Sequence, residues 1–172
     1  MSKEEKSNSP IRQNIQIGQY QKQVSLLSGI SLEVIKDALI DTGVETKYNE
    51  KDIFGLSLSC KLDELSFSIS LISDYGNTIE NEEELGMVIQ CFALFSIDDF
   101  ESKFDILSIL NEWNTDETFA KAYLVEEIMI VEMIIPASGV VAENVNDGLK
   151  AWIDICSDFS NFIAEKSENK KE

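Results

Sequence analysis

The sequence predicts an α+β domain in which a single antiparallel sheet has helices packed on one face. Two segments, 53–60 and 65–72, alternate apolar residues with serines, which is the pattern of half-buried antiparallel strands. A third segment places apolar residues at steps of four and three from Val145 to Ile163, which is typical of an amphipathic helix. The chain has 172 residues, of which 44% are hydrophobic, so one core can form without disulfides or a structural metal.

The first half of the chain is predicted to contain one helix followed by strands. Ser31 can cap a helix that ends at Gly43, where a left-handed residue is favoured. A short, polar-biased edge strand is expected at 44–48, before the two alternating strands. The segment 87–95 is apolar throughout and therefore predicts a central strand.

The second half is predicted to contain a helix, a strand pair and the long amphipathic helix. Asp98 and Glu101 form a capping-box pattern at the start of the first of these helices. The segments 119–125 and 128–135 predict a hairpin around two glutamates at 126–127. This turn is unusual because the favoured two-residue turns need left-handed residues such as glycine.

The helices and the tails define one domain. The helix at 98–113 and the last helix, expected from about 141 to 164, are apolar on one side only, so both should share one face of the sheet. No repeat or linker interrupts residues 29–166, which we interpret as one domain. Residues 1–28 are predicted to be a flexible N-terminal tail, and residues 167–172 a polar C-terminal tail.

The charge of the chain restricts the kinds of partner it can have. It contains 32 acidic and 14 basic residues, a net charge of −18. A nucleic-acid backbone or an anionic membrane surface would repel such a protein, so neither is an expected partner. An alternative is that the protein mimics nucleic acid and occupies a basic groove on another protein. That hypothesis requires carboxylates aligned on one face, whereas the acidic residues are scattered along the sequence.

The expected compartment is the cytoplasm. No apolar run approaches the ~20 residues of a membrane-spanning helix, and the polar N-terminus shows no secretory signal. Cys60, Cys91 and Cys156 are an odd, widely spaced set within apolar patterns. They are therefore predicted to be buried thiols in a reducing compartment.

No residue is predicted to be catalytic, to bind a cofactor or to ligate a metal. The chain has no histidine, which removes the usual general base and the commonest transition-metal ligand. Its glycines form no phosphate-binding motif, and its acidic segments lack the spacing of a calcium loop. Trp113 and Trp152 could stack on a ligand, but both lie on helical apolar stripes and are predicted to be buried. We therefore expect a protein that is not an enzyme.

The strand at 128–135 is apolar on both faces, which points to a binding surface. Met129, Val131 and Met133 share one face, and the opposite face is a row that one acidic residue interrupts. This isoleucine row consists of Ile128, Ile130, Glu132 and Ile134. A sheet with helices on one side leaves its other face open to water, so the row requires a cover. We expect a protein partner or a second copy in a homodimer, with the N-terminal tail as the alternative cover.

An ordered set of short segments in the second half carries a family resemblance. The segments are 110–114 (LNEWN), 119–124 (FAKAYL), 131–133 (VEM), 139–140 (GV), 143–145 (ENV) and Trp152. Together they resemble the YbjN family, described as bacterial sensory-transduction regulators, whose fold is similar to that of type III secretion chaperones. Two positions depart from the family pattern: Val141 replaces a capping hydroxyl, and the glutamates at 126–127 replace a glycine-containing turn.

The resemblance implies the element order α-β-β-β-α-β-β-α, with room for a further short strand after the first helix. It also implies a chaperone-like protein-binding surface and dimerisation, and it supplies no catalytic residue. The leading hypothesis is a non-enzymatic, cytoplasmic protein-interaction module, a sensory-transduction regulator of YbjN type. A dedicated secretion chaperone for an effector protein is the near alternative, and the nucleic-acid mimic is the alternative from another class.

Overall fold

Three helices and eight strands occupy the part of the chain that the computed structural model describes, which is residues 11–17, 20–52, 55–74, 76–98, 100 and 102–168. The strands are β1 (Ile11–Ile17), β2 (Tyr20–Leu26), β3 (Glu45–Asp52), β4 (Gly55–Leu62), β5 (Leu65–Ile72), β6 (Val88–Ser96), β7 (Ala120–Val125) and β8 (Ile128–Pro136). The helices are α1 (Leu32–Ile40), α2 (Lys103–Asp116) and α3 (Ala142–Glu168).

Six of the strands form one antiparallel sheet in the order β3-β4-β5-β6-β8-β7. The predicted α+β class is confirmed, and from α1 onward the element order agrees with the expectation once the further short strand is included. That strand is β3, which is longer than the segment 44–48 predicted for it. The predicted start of β4 at residues 53 and 54 lies outside the described residues.

Part of the segment predicted to be the N-terminal tail forms paired strands. Residues 11–26 form a separate two-stranded antiparallel sheet, in which Ile11 pairs with Leu26 and Ile17 pairs with Tyr20. This hairpin was not predicted, because its apolar residues are separated by polar ones and share a face only when the two strands are paired. Residues 1–10 and 169–172 of the predicted tails lie outside the described residues, and the flexibility of either tail stays a prediction.

The three helices cover one face of the six-stranded sheet and share one hydrophobic core with it. Trp152 of α3 is fully buried and meets Phe67 of β5 edge-on, with ring centroids 6.2 Å apart. Trp113 of α2 lies 5.0 Å from Phe159 of α3, which joins the two helices as predicted. Trp113 itself is only half-buried, so its predicted burial is correct in position but smaller in extent.

The start of α2 corrects the predicted capping box. The helix begins at Lys103, and its N-cap is Ser102, whose hydroxyl accepts a hydrogen bond from the backbone N–H of Asp105 at 3.2 Å. Asp98 therefore precedes the helix, and its own N–H donates to the hydroxyl of Ser96. A serine at the N-cap satisfies one of the free N–H groups of the first turn as well as an aspartate would.

The β7–β8 hairpin forms despite its unusual turn. Glu126 adopts a φ of 55°, in the left-handed region that normally favours glycine. Asp63 makes the same adjustment in the β4–β5 turn, with a φ of 53°. Both turns connect strands whose core-facing residues are buried, so packing of these strands offsets the free-energy cost of the left-handed backbone at Asp63 and Glu126.

A candidate protein-binding face

The sheet has a second face, opposite the helices, which we call the open face. The β6–β8 register pairs Ile134 with Gln90 and Ile130 with Leu94, whereas Met129 and Val131 are fully buried on the helix-covered face. The predicted isoleucine row therefore lies on the open face. In the described part of the chain, no helix packs on this face.

The members of the isoleucine row differ in exposure. Ile128 and Ile134 are 45% and 49% exposed. Ile130 is only 7% exposed. The row was expected to expose three isoleucines, and it exposes two. The neighbours of Ile130 in register are Leu94 and Tyr123 on either side, and side chains directly opposite on adjacent strands are close enough to cover one another.

Three further apolar residues extend the isoleucine row on the open face, and they were not predicted from the sequence. Leu94, Tyr123 and Val125 are exposed, and the register places them beside Ile130 and Ile128 on the open face. We call the exposed large apolar side chains of β6, β7 and β8 on the open face the apolar band: Leu94, Tyr123, Val125, Ile128 and Ile134. The apolar residues on both faces of β8 could have indicated them, because a strand that pairs with β8 continues both faces of the sheet.

A chain of polar side chains crosses the open face over four strands. Gln90 donates from Nε2 to Glu132 Oε1 at 2.6 Å, and the hydroxyl of Tyr123 donates to Glu132 Oε2 at 3.1 Å. The hydroxyl of Ser70 reaches Gln90 Oε1 at 3.4 Å. Glu132, the acidic residue within the isoleucine row, is thus held by neighbours from both adjacent strands. Such a network positions one carboxylate within an otherwise apolar surface.

The environment of Tyr123 maintains its role as a donor. Desolvation, followed by the nearby Glu132 carboxylate and the hydrogen bond to it, raises the pKa of Tyr123 to about 12. A phenol with this pKa remains protonated throughout the physiological range. Tyr123 therefore keeps the proton with which it donates to Glu132 over that range.

The open face is less acidic than the rest of the molecule. Among the residues whose exposure the structure describes, the register places on this face the exposed Lys47 and Glu45 of β3, Lys61 of β4 and Lys121 of β7, with half-buried Glu132 of β8. Three lysines and two glutamates contrast with a chain whose net charge is −18. This face therefore does not present the aligned carboxylates that a nucleic-acid mimic needs.

Both edges of the sheet are protected against an added strand. At the β7 edge, the amide of Asn114 in α2 donates to the carbonyl of Ala122 at 2.7 Å and accepts from its N–H at 2.8 Å. This side chain occupies the backbone groups that an additional strand would pair with. The opposite edge strand, β3, is rich in charged residues and has a register irregularity between Asn49 and Asp52. Charges and irregularities of this kind are common protections of edge strands.

The cysteines are structural in character. Cys60, Cys91 and Cys156 are buried free thiols, as predicted. Burial raises the pKa of each thiol, that of Cys60 to about 12, so none is a ready nucleophile. Within residues 11–168 as described, no group of three or more cysteine or acidic side chains could hold a metal ion. No helix in those same residues has the length and hydropathy to cross a membrane.

The fold defines a class of protein: an α+β protein whose six-stranded antiparallel sheet has helices on one face. The family model that matches residues 31–165 is YbjN, described as "Putative bacterial sensory transduction regulator". The match spans most of the chain, and the protein belongs to the YbjN family. No curated protein and no solved structure gives a significant match. The likeness to type III secretion chaperones therefore stays a prediction.

Proposed function

We propose that this protein is a non-enzymatic regulator that acts by binding a segment of another protein on the open face of its sheet. The supporting observation is the apolar band on a protein with strong net charge: Leu94, Tyr123 and Val125 flank Ile128 and Ile130, and Ile134 lies beyond Glu132 on the same face. An exposed group of large apolar side chains of this kind marks an interaction site more often than a chance exposure. The family description as a transduction regulator agrees with such a role.

The bound segment would lie across the face rather than along an edge. Pairing at β7 would require Asn114 to release Ala122, and pairing at β3 would meet charged residues. On the face, a client's apolar side chains would contact the apolar band, and Glu132 would receive a donor from the client. In this mode of binding, apolar contacts would supply affinity, and the Glu132 carboxylate, fixed by its hydrogen bonds, would supply specificity for the client.

The test is affinity capture of the full chain from the cytoplasm of its source bacterium, followed by mass spectrometry. The variant Ile134→Asp places a charge within the apolar band. The matched control is Ile40→Asp, because Ile40 is similarly exposed but lies on α1. We expect a set of captured proteins that the control retains and the Ile134→Asp variant loses.

The same experiment can contradict the proposal. If both variants capture the same proteins as the unaltered chain, the open face is not the binding surface. A captured secreted protein encoded beside this one would favour the dedicated secretion chaperone. Capture of a basic nucleic-acid-binding protein, insensitive to Ile134→Asp and abolished by salt, would favour the nucleic-acid mimic.

A further inference from the structure

The N-terminal hairpin β1–β2 has the sequence pattern of an element that covers another surface. Its apolar residues fall at alternate positions that the register brings together: 11, 15 and 17 in β1 with 20, 24 and 26 in β2. The intervening positions are polar throughout. A two-stranded hairpin alone is at best marginally stable in water, so an apolar set of this size needs a surface to pack on. The hairpin lies outside residues 31–165, which the family model matches.

The backbone after β2 anchors the hairpin at one end of the six-stranded sheet. The N–H of Leu27 donates to the carbonyl of Val140, and the carbonyl of Leu27 accepts from the N–H of Gly139. Three residues later, Ile30 and Gly86 exchange two backbone hydrogen bonds in the same way. Gly139 follows β8 and Gly86 precedes β6, so the base of the hairpin lies where β8 ends and β6 begins.

At this end, part of the open face is buried although the three helices pack on the opposite face. Ser57 of β4 and Ser70 of β5 are both 0% exposed, and Phe92 of β6 is 3% exposed. These three residues lie on the open face by register, and we call them the shielded patch. Towards the other end of the same strands, Ser59 and Ser66 are exposed. The burial is therefore local, and Ser57 and Phe92 each take part in a further interaction.

We propose that the β1–β2 hairpin of the same chain lies on the open face and covers the shielded patch. Strands of seven residues extend roughly 23 Å, and the patch spans three strands spaced about 4.8 Å apart, so a hairpin rooted at Leu27 reaches it. Serines are small, which lets a second layer approach closely, and Phe92 provides an apolar contact. Residues 11–26 contain none of the chain's 32 acidic residues, so the hairpin brings no carboxylate to the buried serines and Phe92.

This arrangement gives the hairpin a regulatory consequence. The shielded patch adjoins the apolar band, since Phe92 and Leu94 are neighbours on the same face of β6. A hairpin over the patch limits the length of client that can lie across the face, and its release would extend the binding surface. The position of the hairpin is independent of any partner, whereas this consequence rests on the proposed function.

The test measures how fast a thiol reagent reaches the open face in the full chain. A Ser70→Cys variant reports on the shielded patch, and a Ser66→Cys variant reports on the exposed part of the same strand. The three native cysteines are buried, so the unaltered chain provides the background rate. We expect slow labelling of Ser70→Cys and fast labelling of Ser66→Cys.

Charges are then introduced at the two sets of hairpin positions. Ile15→Asp with Val24→Asp alters the apolar set, and Asn14→Asp with Gln21→Asp adds the same charge to the polar set, again at positions that are not direct partners in the register. We expect the first pair to accelerate labelling of Ser70→Cys by about tenfold or more, and the second pair to leave it unchanged. Continued protection of the native cysteines shows that the core remains folded.

Three results would overturn the proposal. The first is fast labelling of Ser70→Cys in the otherwise unaltered chain, and the second is equal labelling in both hairpin backgrounds. The third is protection that disappears on dilution, because a second copy would then be the cover. If the altered hairpins unfold the core, hydrogen exchange of the unaltered chain decides: protected amides in residues 20–26 support packing, and unprotected ones contradict it. None of these measurements uses a partner, so their failure is distinct from failure of the proposed function.

Discussion

The two faces of β8 come from the same nine residues but have different surroundings. On one face, Met129 and Val131 are completely buried beneath the helices. On the other, Ile128 and Ile134 are half exposed, and Glu132 holds a hydrogen bond from each neighbouring strand. Apolar residues on the two faces of one strand therefore differ in burial. Those on the covered face stabilise the fold, and those on the open face are the ones that the proposed function assigns to contact with a partner.

Truncation of large side chains on the two faces gives the largest expected difference. Trp152→Ala should reduce the free energy of unfolding by about 3–5 kcal/mol, because the indole is fully buried against Phe67. Leu94→Ala on the open face should cost less than about 1 kcal/mol, because Leu94 is exposed. Urea denaturation followed by circular dichroism measures both values.

Trp113→Ala provides an intermediate case. The side chain packs on Phe159 and Phe162 but is half-buried, so its loss should cost less than that of Trp152. Equal losses for Leu94→Ala and Trp152→Ala would mean that the open face is as well packed as the core. In that case the distinction between the two faces would not hold.

The β7 edge provides the second test, since Asn114 joins the helix layer to the sheet. Asn114→Ala removes two hydrogen bonds and leaves the N–H and carbonyl of Ala122 without their side-chain partner. We expect a loss of about 1–3 kcal/mol in the free energy of unfolding. Asn111→Ala, on an exposed position of the same helix, is the matched control and should be nearly neutral. Equal stabilities of the two variants would show that the edge is not held in this way.

The thiols of the covered face give a smaller, pH-dependent effect. Burial raises the pKa of Cys60 from its ordinary value of 9.0 to about 12. As the pH rises, the Cys60 thiol therefore ionises in the unfolded chain before it ionises in the folded protein. Its effect on the free energy of unfolding is absent below pH 9, and the free energy of unfolding then decreases progressively as the pH rises towards 12. At pH 10 the loss should be about 1 kcal/mol relative to a Cys60→Ala variant. The free energy of unfolding is measured for the unaltered chain and for Cys60→Ala from pH 8 to pH 10. Tyrosines and lysines titrate in both proteins, so the difference between the two reports on the Cys60 thiol. A difference that does not change with pH would contradict a raised pKa for Cys60.

Local patterns in the sequence predicted most of the fold. Alternation in β4 and β5 and the stripe along α3 each depend on neighbours a few residues away, so they are visible without a structure. The start of α2 was misplaced because Asp98 and Ser102 are both capable N-caps, and only the backbone path distinguishes them. The hairpin at 11–26 was missed because its apolar residues form one set only when the two strands are paired.

The candidate site was predicted only in part, for a related reason. β8 revealed its second apolar face through its own alternation, and Glu132 was visible as the interruption. Leu94 was not recognised, because β6 is apolar along most of its length and its two faces look alike in sequence. The bonds of Asn114 to Ala122 and of Gln90 to Glu132 join residues from different elements. Contacts of this kind follow from the fold and not from local sequence.

The last prediction concerns self-association through the open face, and its expected effect is the smallest. Single changes at Ile128 or Ile134 should alter the free energy of unfolding by no more than about 0.5 kcal/mol, because both side chains are half exposed. A symmetric contact between two copies could still bury this row, and apolar burial contributes about 25 cal/mol per Å². The opposing term is repulsion between two chains of charge −18, which salt screens within about 8 Å at physiological ionic strength.

We therefore expect a homodimer at about 0.15 M salt that loosens at about 0.01 M salt, where the screening length increases to about 30 Å. The local charge of the open face, with three lysines and two glutamates, adds little to the repulsion. Sedimentation equilibrium measures the association of the unaltered chain, of Ile134→Lys and of the control Ile40→Lys. Ile134→Lys should weaken association and Ile40→Lys should not. A monomer at high protein concentration and physiological salt would exclude the dimer and leave the apolar band free for a different protein.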